Sequence, residues 1–313
     1  MPQLPPDQQN VFLGIGLKVT SVAVFTGMAT IIKFAAAEGV PPGQAVFFRS
    51  FFAIPVIVAW LLWRHDLAHG LSTRDPVGHL WRGLVGTSAM ACGFTALGLL
   101  PLPEVTAIGY ASPLLIVVFA AMFLGEEVRL FRLTAVLVGL IGVTIVLSPR
   151  LSVAEVDGWQ ALGAATALMG AVFAALAQVF VRKMVQEEST AAIVFWFSVT
   201  ASVLSLATVP FGWVWPQPGV AALLVLAGLA GGIGQILLTS SYRHAPTSVI
   251  APFEYASMLL ALVIGYAVFG EVPTLVMLGG AALVIAAGIF IIWREAQLGI
   301  ERAKARSSHT PEG

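Results

Sequence analysis

Cysteine is nearly absent from this chain and charge is scarce: Cys92 stands alone, and only 10% of the 313 residues are Asp, Glu, Lys or Arg. A lone thiol inside an apolar stretch excludes an intramolecular disulfide and a thiolate metal cluster. Sixteen basic and sixteen acidic residues cancel, and no basic stripe with interleaved aromatics occurs, which argues against nucleic acid as a partner. His65, His69 and His79 share one stretch, but their spacing fits no compact metal motif. The run Gly228-Leu229-Ala230-Gly231-Gly232-Ile233-Gly234 lies within an apolar segment and lacks the Lys-Ser/Thr ending of a phosphate loop, so it reads as close helix packing. No cofactor is expected. What is abundant is hydrocarbon: 58% of the residues are apolar and the mean hydropathy is +0.92, against about 25% charged residues in an ordinary soluble domain. Lipid must serve as solvent for that much apolar surface.

Apolar runs long enough to cross a bilayer fall at 11–34, 44–63, 80–100, 103–124, 131–148, 159–182, 190–212, 219–242, 246–269 and 274–293. The first begins without a preceding basic residue and outruns the apolar core of a signal peptide, so it is read as a retained helix in spite of Lys18 inside it. Trp63, Trp81, Trp213, Trp215 and Trp293 fall at segment ends, as interfacial aromatics do.

The chain also repeats itself. Tyr110-Ala111-Ser112 and Gly125-Glu126 return as Tyr255-Ala256-Ser257 and Gly270-Glu271, and 8 of the 17 positions from 110 to 126 are identical at an offset of 145. Pro101/Pro246 and Gly86/Gly231 keep the same offset. The expected fold is all-α and integral to the membrane, with ten transmembrane helices in two five-helix repeats. The first repeat covers 11–148 and the second 159–293, flanked by tails 1–10 and 294–313. Five is odd, so the second copy enters the membrane inverted relative to the first. With the N-terminus cytoplasmic, Arg64, Arg74, Arg82, Arg129, Arg132, Arg182, Lys183, Arg243, Arg294, Arg302, Lys304 and Arg306 lie on inner connections. Only Arg150 and Lys33 face outward, which places both tails inside.

These landmarks resemble the EamA-type branch of the drug/metabolite transporter superfamily, over roughly residues 10 to 295. The Gly-Glu pairs at 125–126 and 270–271 and the arginine in Phe47-Phe48-Arg49-Ser50 carry the resemblance. It implies a secondary transporter that moves a small organic metabolite by alternating access without ATP. The stretch Gly43-Gln44 through Phe52 is similar to a subgroup of S-adenosylmethionine and riboflavin uptake carriers. Import and export remain alternatives. A lipid-modifying membrane enzyme is the alternative of another class, and no His-Asp, Ser-His or metal cluster supplies its chemistry. The partners implied are a small-molecule substrate, protons as the coupling ion, and membrane lipid; oligomeric state is left open.

A charge at the centre of a membrane helix costs at least about 2.5–3.5 kcal/mol, so each needs a reason. Glu254, roughly 12 Å into the ninth segment, suits a proton-binding carboxylate if desolvated; otherwise it pairs with a neighbouring base. Arg49 either snorkels or contacts an anionic substrate group. Tyr110 and Tyr255 are candidates for a substrate wall, with Ser112 and Ser257 on another face making helix contacts. Pro113 and Pro252 are expected to kink the fourth and ninth helices. Gln178, Gln235 and Trp196 are further lining candidates, with partners on neighbouring helices as the alternative. Finally, the inverted plan brings Lys33 to Glu271 at the outer mouth and Arg182 or Lys183 to Glu126 at the inner mouth. These would be two pseudo-symmetric latches, unless each glutamate pairs locally, and a charge-swapped pair would retain transport if the latch exists.

Overall fold

The computed structural model describes residues 11–65, 67–124, 130–151, 158–184, 188–244 and 251–307, and every regular element among them is helical. In the first repeat α1 (Val11–Ala37) is followed by α2 (Pro42–Phe51), α3 (Ala53–Trp63), the single turn α4 (Leu67–Gly70), α5 (Pro76–Leu99), α6 (Leu102–Gly109), α7 (Ala111–Leu124) and α8 (Leu130–Leu151). The second contains α9 (Gly158–Met184), α10 (Thr190–Leu206), α11 (Pro218–His244), a 3-10 segment Ala251–Tyr255, α12 (Ala256–Phe269) and α13 (Leu275–Ser307). Five stretches are long and apolar enough to cross a bilayer outright, among them Phe12–Ala37, Pro42–Trp63 and Pro218–Ser241. Large apolar side chains point outward without cover, Trp63 at 80% exposure and Leu275 at 86%, as a lipid-facing surface requires.

Three expected helices are not continuous. The second span breaks at Phe52 and the fourth at Tyr110, where ψ is −7° and −5°. The cause is the same in both. Pro55 and Pro113, each three residues beyond the break, lack the N–H that would bond Phe51 and Gly109 and crowd those carbonyls. The sequence reading assigned a kink to Pro113 and overlooked Pro55. In the ninth span, whose residues 246–250 lie outside the described set, Ala251–Tyr255 form a 3-10 segment and the chain turns α-helical at Ala256. The tenth runs on to Ser307, well past residue 293.

Packing follows the duplication. Helix α1 lies along α11, and its repeat equivalent α9 lies along α5; α8 and α13 lie along each other. The α8–α13 crossing is tight because two glycines meet there: a Cβ on Gly142 would stand 2.8 Å from the Gly280 carbonyl oxygen, and one on Gly280 would stand 2.7 Å from the Gly142 oxygen. The glycine run of α11 packs in the same way, Gly228 against Phe52 and the Phe48 carbonyl, Gly232 against Val56 and Ala53, and Gly234 against Phe25. Small residues let helix backbones approach where the surrounding lipid offers no hydrophobic driving force.

A polar knot fastens the connection ahead of α5. The Glu188 carboxylate Oε1 accepts from the Arg74 N–H at 2.6 Å, the Asp75 N–H at 3.0 Å and the Thr73 hydroxyl at 2.9 Å, and Oε2 lies 3.7 Å from His79 Nε2. Ser189 caps α10 by accepting from Ala192 N–H and donates to Gly70 O. Burial alone would raise the Glu188 pKa, but these donors and the His79 charge outweigh it and hold the carboxylate below its ordinary value. A depressed carboxylate stabilises the fold above its unfolded pKa, and that contribution disappears as pH falls through the folded value. Glu188→Ala is therefore expected to cost roughly 2–4 kcal/mol near neutrality, with the deficit shrinking at acid pH. Melting curves of wild type and variant at two pH values provide the check, and a deficit that grows on acidification would contradict this account.

Candidate transport pathway between the repeats

At the end of the bundle where α1 terminates, one cross-repeat cluster closes the molecule. Lys33 Nζ lies 2.9 Å from Glu271 Oε1, each side chain 14% exposed. The ammonium also donates to Leu100 O at 2.6 Å and Leu97 O at 3.2 Å. Glu271 Oε2 accepts from the Leu102 N–H at 2.8 Å. Lys33 thus satisfies carbonyls at the C-terminus of α5 while Glu271 satisfies an amide at the N-terminus of α6, each near the helix end whose partial charge suits it. The Gly-Glu pair has a local logic. Gly270 takes a left-handed φ of 66° that ends α12 and turns the chain, and Glu271 next to it reaches across to the first repeat.

The other half of the expected arrangement is not visible. Glu126 lies outside the described residues, and Arg182 and Lys183 belong to α9 with side chains outside the described set.

Beside the Lys33–Glu271 cluster, which shares Leu97 and Leu102 with it, an open apolar recess of about 320 Å³ is lined by Ala29, Met90, Phe94, Leu97, Val105 and Ala174, among others. Helices α1, α5, α6 and α9 therefore bound it, drawn from both repeats.

At the opposite end Glu254 contacts Lys18, Nζ to Oε2 at 3.0 Å. Lys18 is 2% exposed and Glu254 50% exposed. Glu254 is therefore exposed and ion-paired rather than desolvated, and the pairing with a base that the sequence left as the alternative is the one observed. The buried partner is Lys18, which had counted only as an anomaly of the first helix. Its position inside an apolar run was the signal that it needed an acid.

The tyrosines do not line the recess. Tyr110 and Tyr255, 5% and 8% exposed, pack edge to face with centroids 5.0 Å apart. The Tyr110 hydroxyl lies 2.7 Å from Ser257 Oγ and donates to the Tyr255 carbonyl at 3.3 Å. Because the fourth span breaks at Tyr110, regular helical spacing does not fix the direction of its side chain, and it meets the serine of the other repeat. Trp196 is half-buried and its indole N–H donates to Leu71 O at 3.1 Å, tying α10 to the connection before α5. Gln178 is exposed and Gln235 half-buried. Arg49 is buried, not snorkelling: it is 3% exposed and its guanidinium lies over Phe197 at 5.5 Å. Arg82, counted from sequence with the inner connections, lies over the same ring at 4.0 Å.

The EamA-like transporter family matches this chain twice, at residues 12–148 and 161–294. The chain belongs to that family. It is a transporter of small metabolites and an integral membrane protein, not an enzyme. Among its relatives, the pseudopaline exporter CntI of Pseudomonas aeruginosa (strain UCBPP-PA14) is 28% identical, covering 88% of this chain and 94% of the relative. An S-adenosylmethionine uptake transporter of Rickettsia bellii (strain RML369-C) is 27% identical over 80% of this chain and 84% of its own. A riboflavin transporter of Rhizobium johnstonii is 28% identical over 82% of each. A solved crystal structure superposes with a TM-score of 0.66 at 22% identity, covering 91% of this chain and 98% of that chain, which establishes likeness of fold.

Proposed function

We propose that this EamA-family protein is a secondary active transporter in a bacterial inner membrane, with both termini cytoplasmic, which carries its metabolite by alternating access. The supporting observation is that charged pairs join the two repeats at separate levels of α1. Lys33 of the first repeat meets Glu271 of the second, and Lys18 of the first meets Glu254 of the second. With the N-terminus inside, the Lys33–Glu271 pair lies toward the outer face and the Lys18–Glu254 pair toward the cytoplasm, consistent with the positive charges flanking the spans. Opening the outer end requires the Lys33–Glu271 contact to part, and the inverted repeat supplies an equivalent site at the inner end, Glu126 with Arg182 or Lys183, to close in exchange. The substrate is a small organic metabolite of S-adenosylmethionine or riboflavin type, with export as the second reading because relatives carry names of both directions.

Protons couple to this cycle through Glu254, whose protonation would free the buried Lys18 and alter the packing of α1 on the ninth span. Proteoliposomes test both parts. Uptake of S-adenosylmethionine, riboflavin, amino acids or nucleosides should depend on an imposed pH gradient, and Glu254→Gln should abolish that dependence while leaving substrate exchange. Gradient-driven uptake that survives unchanged in Glu254→Gln would remove Glu254 from the coupling step, and a protein that moves no compound in either direction would remove the transporter reading of this pathway.

A further inference from the structure

Among the described residues, two positive charges inside the bundle have no anionic partner. The Arg49 and Arg82 guanidiniums converge on one ring, 5.5 Å and 4.0 Å from the centroid of Phe197. In both, Nε and Nη1 are buried and have no hydrogen-bond partner. The ion pairs among the described residues join Lys18 to Glu254 and Lys33 to Glu271, His79 approaches Glu188, and none of these contacts includes either arginine. The space they occupy is shaped by repeat-equivalent glycines: a Cβ on Gly231 would lie 3.1 Å from Arg49 Nε, and one on Gly86 would run into Arg82 Nη1 and the Phe197 ring.

An aromatic face only partly compensates a desolvated cation for the hydration it loses on leaving water. Two like charges close together worsen that balance. The arrangement is unfavourable until an anion enters, and a planar pair of forks is suited to hold a carboxylate or phosphoryl oxygens by parallel N–H donors.

One face of α5 leads from the cluster toward the recess. Residues 82, 86, 89, 93 and 97 fall within about 80° on one face of α5 at 100° per residue, and Ala89, Gly93 and Leu97 line the recess. Arg82 sits two turns, roughly 10 Å, further along the same face from Ala89. On α1, Met28 packs beside Gly231 at the Arg49 side, and the next residue, Ala29, lines the recess. We infer that Arg49 and Arg82, laid against Phe197, form an oxyanion subsite at the end of the recess that takes a carboxylate or phosphoryl group of the transported metabolite. This rests on the transporter reading and narrows its substrate class.

The test uses the purified full-length chain and melting shifts with succinate, glutarate and inorganic phosphate, with succinamide as the neutral match and chloride as the competing inorganic ion. A carboxylate or phosphate should raise the melting temperature, succinamide should not, and the shift should vanish in both Arg49→Gln and Arg82→Gln. Dicarboxylates acting without phosphate assign a carboxylate ligand, and the converse assigns a phosphoryl one.

Because the ligand-free site holds uncompensated charge, Arg82→Gln should also raise the melting temperature of the empty protein by roughly 2–4 °C. A purely structural arginine would give a fall, and Arg49→Lys, which keeps charge without the fork, should retain only a reduced shift. The proposal is overturned if the variants keep the full shift, if the empty variants are less stable, or if chloride alone reproduces the effect. Proteoliposome uptake of a neutral or purely cationic compound, together with the absence of any anion shift, would overturn the subsite while leaving the transporter intact.

Discussion

Glu271→Gln is expected to slow transport on the order of 30-fold, corresponding to about 2 kcal/mol, and to loosen the end of the bundle where it meets Lys33. The variant still offers an amide oxygen to the Leu102 N–H, so the α6 terminus keeps its partner, but the Lys33 ammonium loses its counter-charge. A pair with both side chains 14% exposed lies between a surface ion pair worth less than about 1 kcal/mol and a buried one whose rupture costs about 3–5 kcal/mol.

Cys92 supplies a native reporter. It neighbours Gly93 of the recess wall, and a Cβ on Gly170 of α9 would lie 3.4 Å from it. A membrane-impermeant maleimide added from outside should label Cys92 faster in Glu271→Gln than in wild type, and equal rates would contradict a latch. The structure also changes the outcome anticipated for the charge swap. Lys33→Glu with Glu271→Lys would set a carboxylate against the Leu97 and Leu100 carbonyls and an ammonium against the Leu102 N–H. The swapped pair should therefore fail to restore transport even though its net charge is preserved.

The second large effect is expected at the α8–α13 crossing. Gly142→Leu or Gly280→Leu would drive a side chain into backbone atoms of the opposing helix, where neither neighbour can rotate away. Overpacking of this kind costs about 3 kcal/mol, enough to abolish a monodisperse folded peak or lower the melting temperature sharply. Gly279→Leu is the control: nothing lies within 4 Å of its Cβ, and the change should stay within about 0.5 kcal/mol. Equal losses at 279 and 280 would show that helix propensity, not the close approach, governs this region.

The repeat, the spans and the cross-repeat meeting of Lys33 with Glu271 could be read without coordinates, because an inverted duplication fixes which helix ends share a membrane face. The fate of Tyr110 and Tyr255 could not. The direction of Tyr110 depends on the helix break there, a local failure of periodicity caused by Pro113, and on Ser257 across the repeat interface, and Tyr255 packs edge to face against it. Arg82 was misplaced for a related reason. Near the start of a predicted span an arginine is equally compatible with an inner connection and with a side chain that climbs the helix face to Phe197. Glu254 was recognised as unusual, yet its exposure and its pairing with Lys18, 236 positions away, are properties of packing.

Composition and internal repetition alone determined an all-helical membrane protein built from a duplicated unit, since hydropathy and a repeat at fixed offset leave few alternatives. Tertiary structure decided which other charges meet: Lys18 with Glu254, and Arg49 beside Arg82 over one phenyl ring. Helices that are apolar around most of their circumference carry too weak a pattern to fix their rotation, and rotation decides which side chains share the interior.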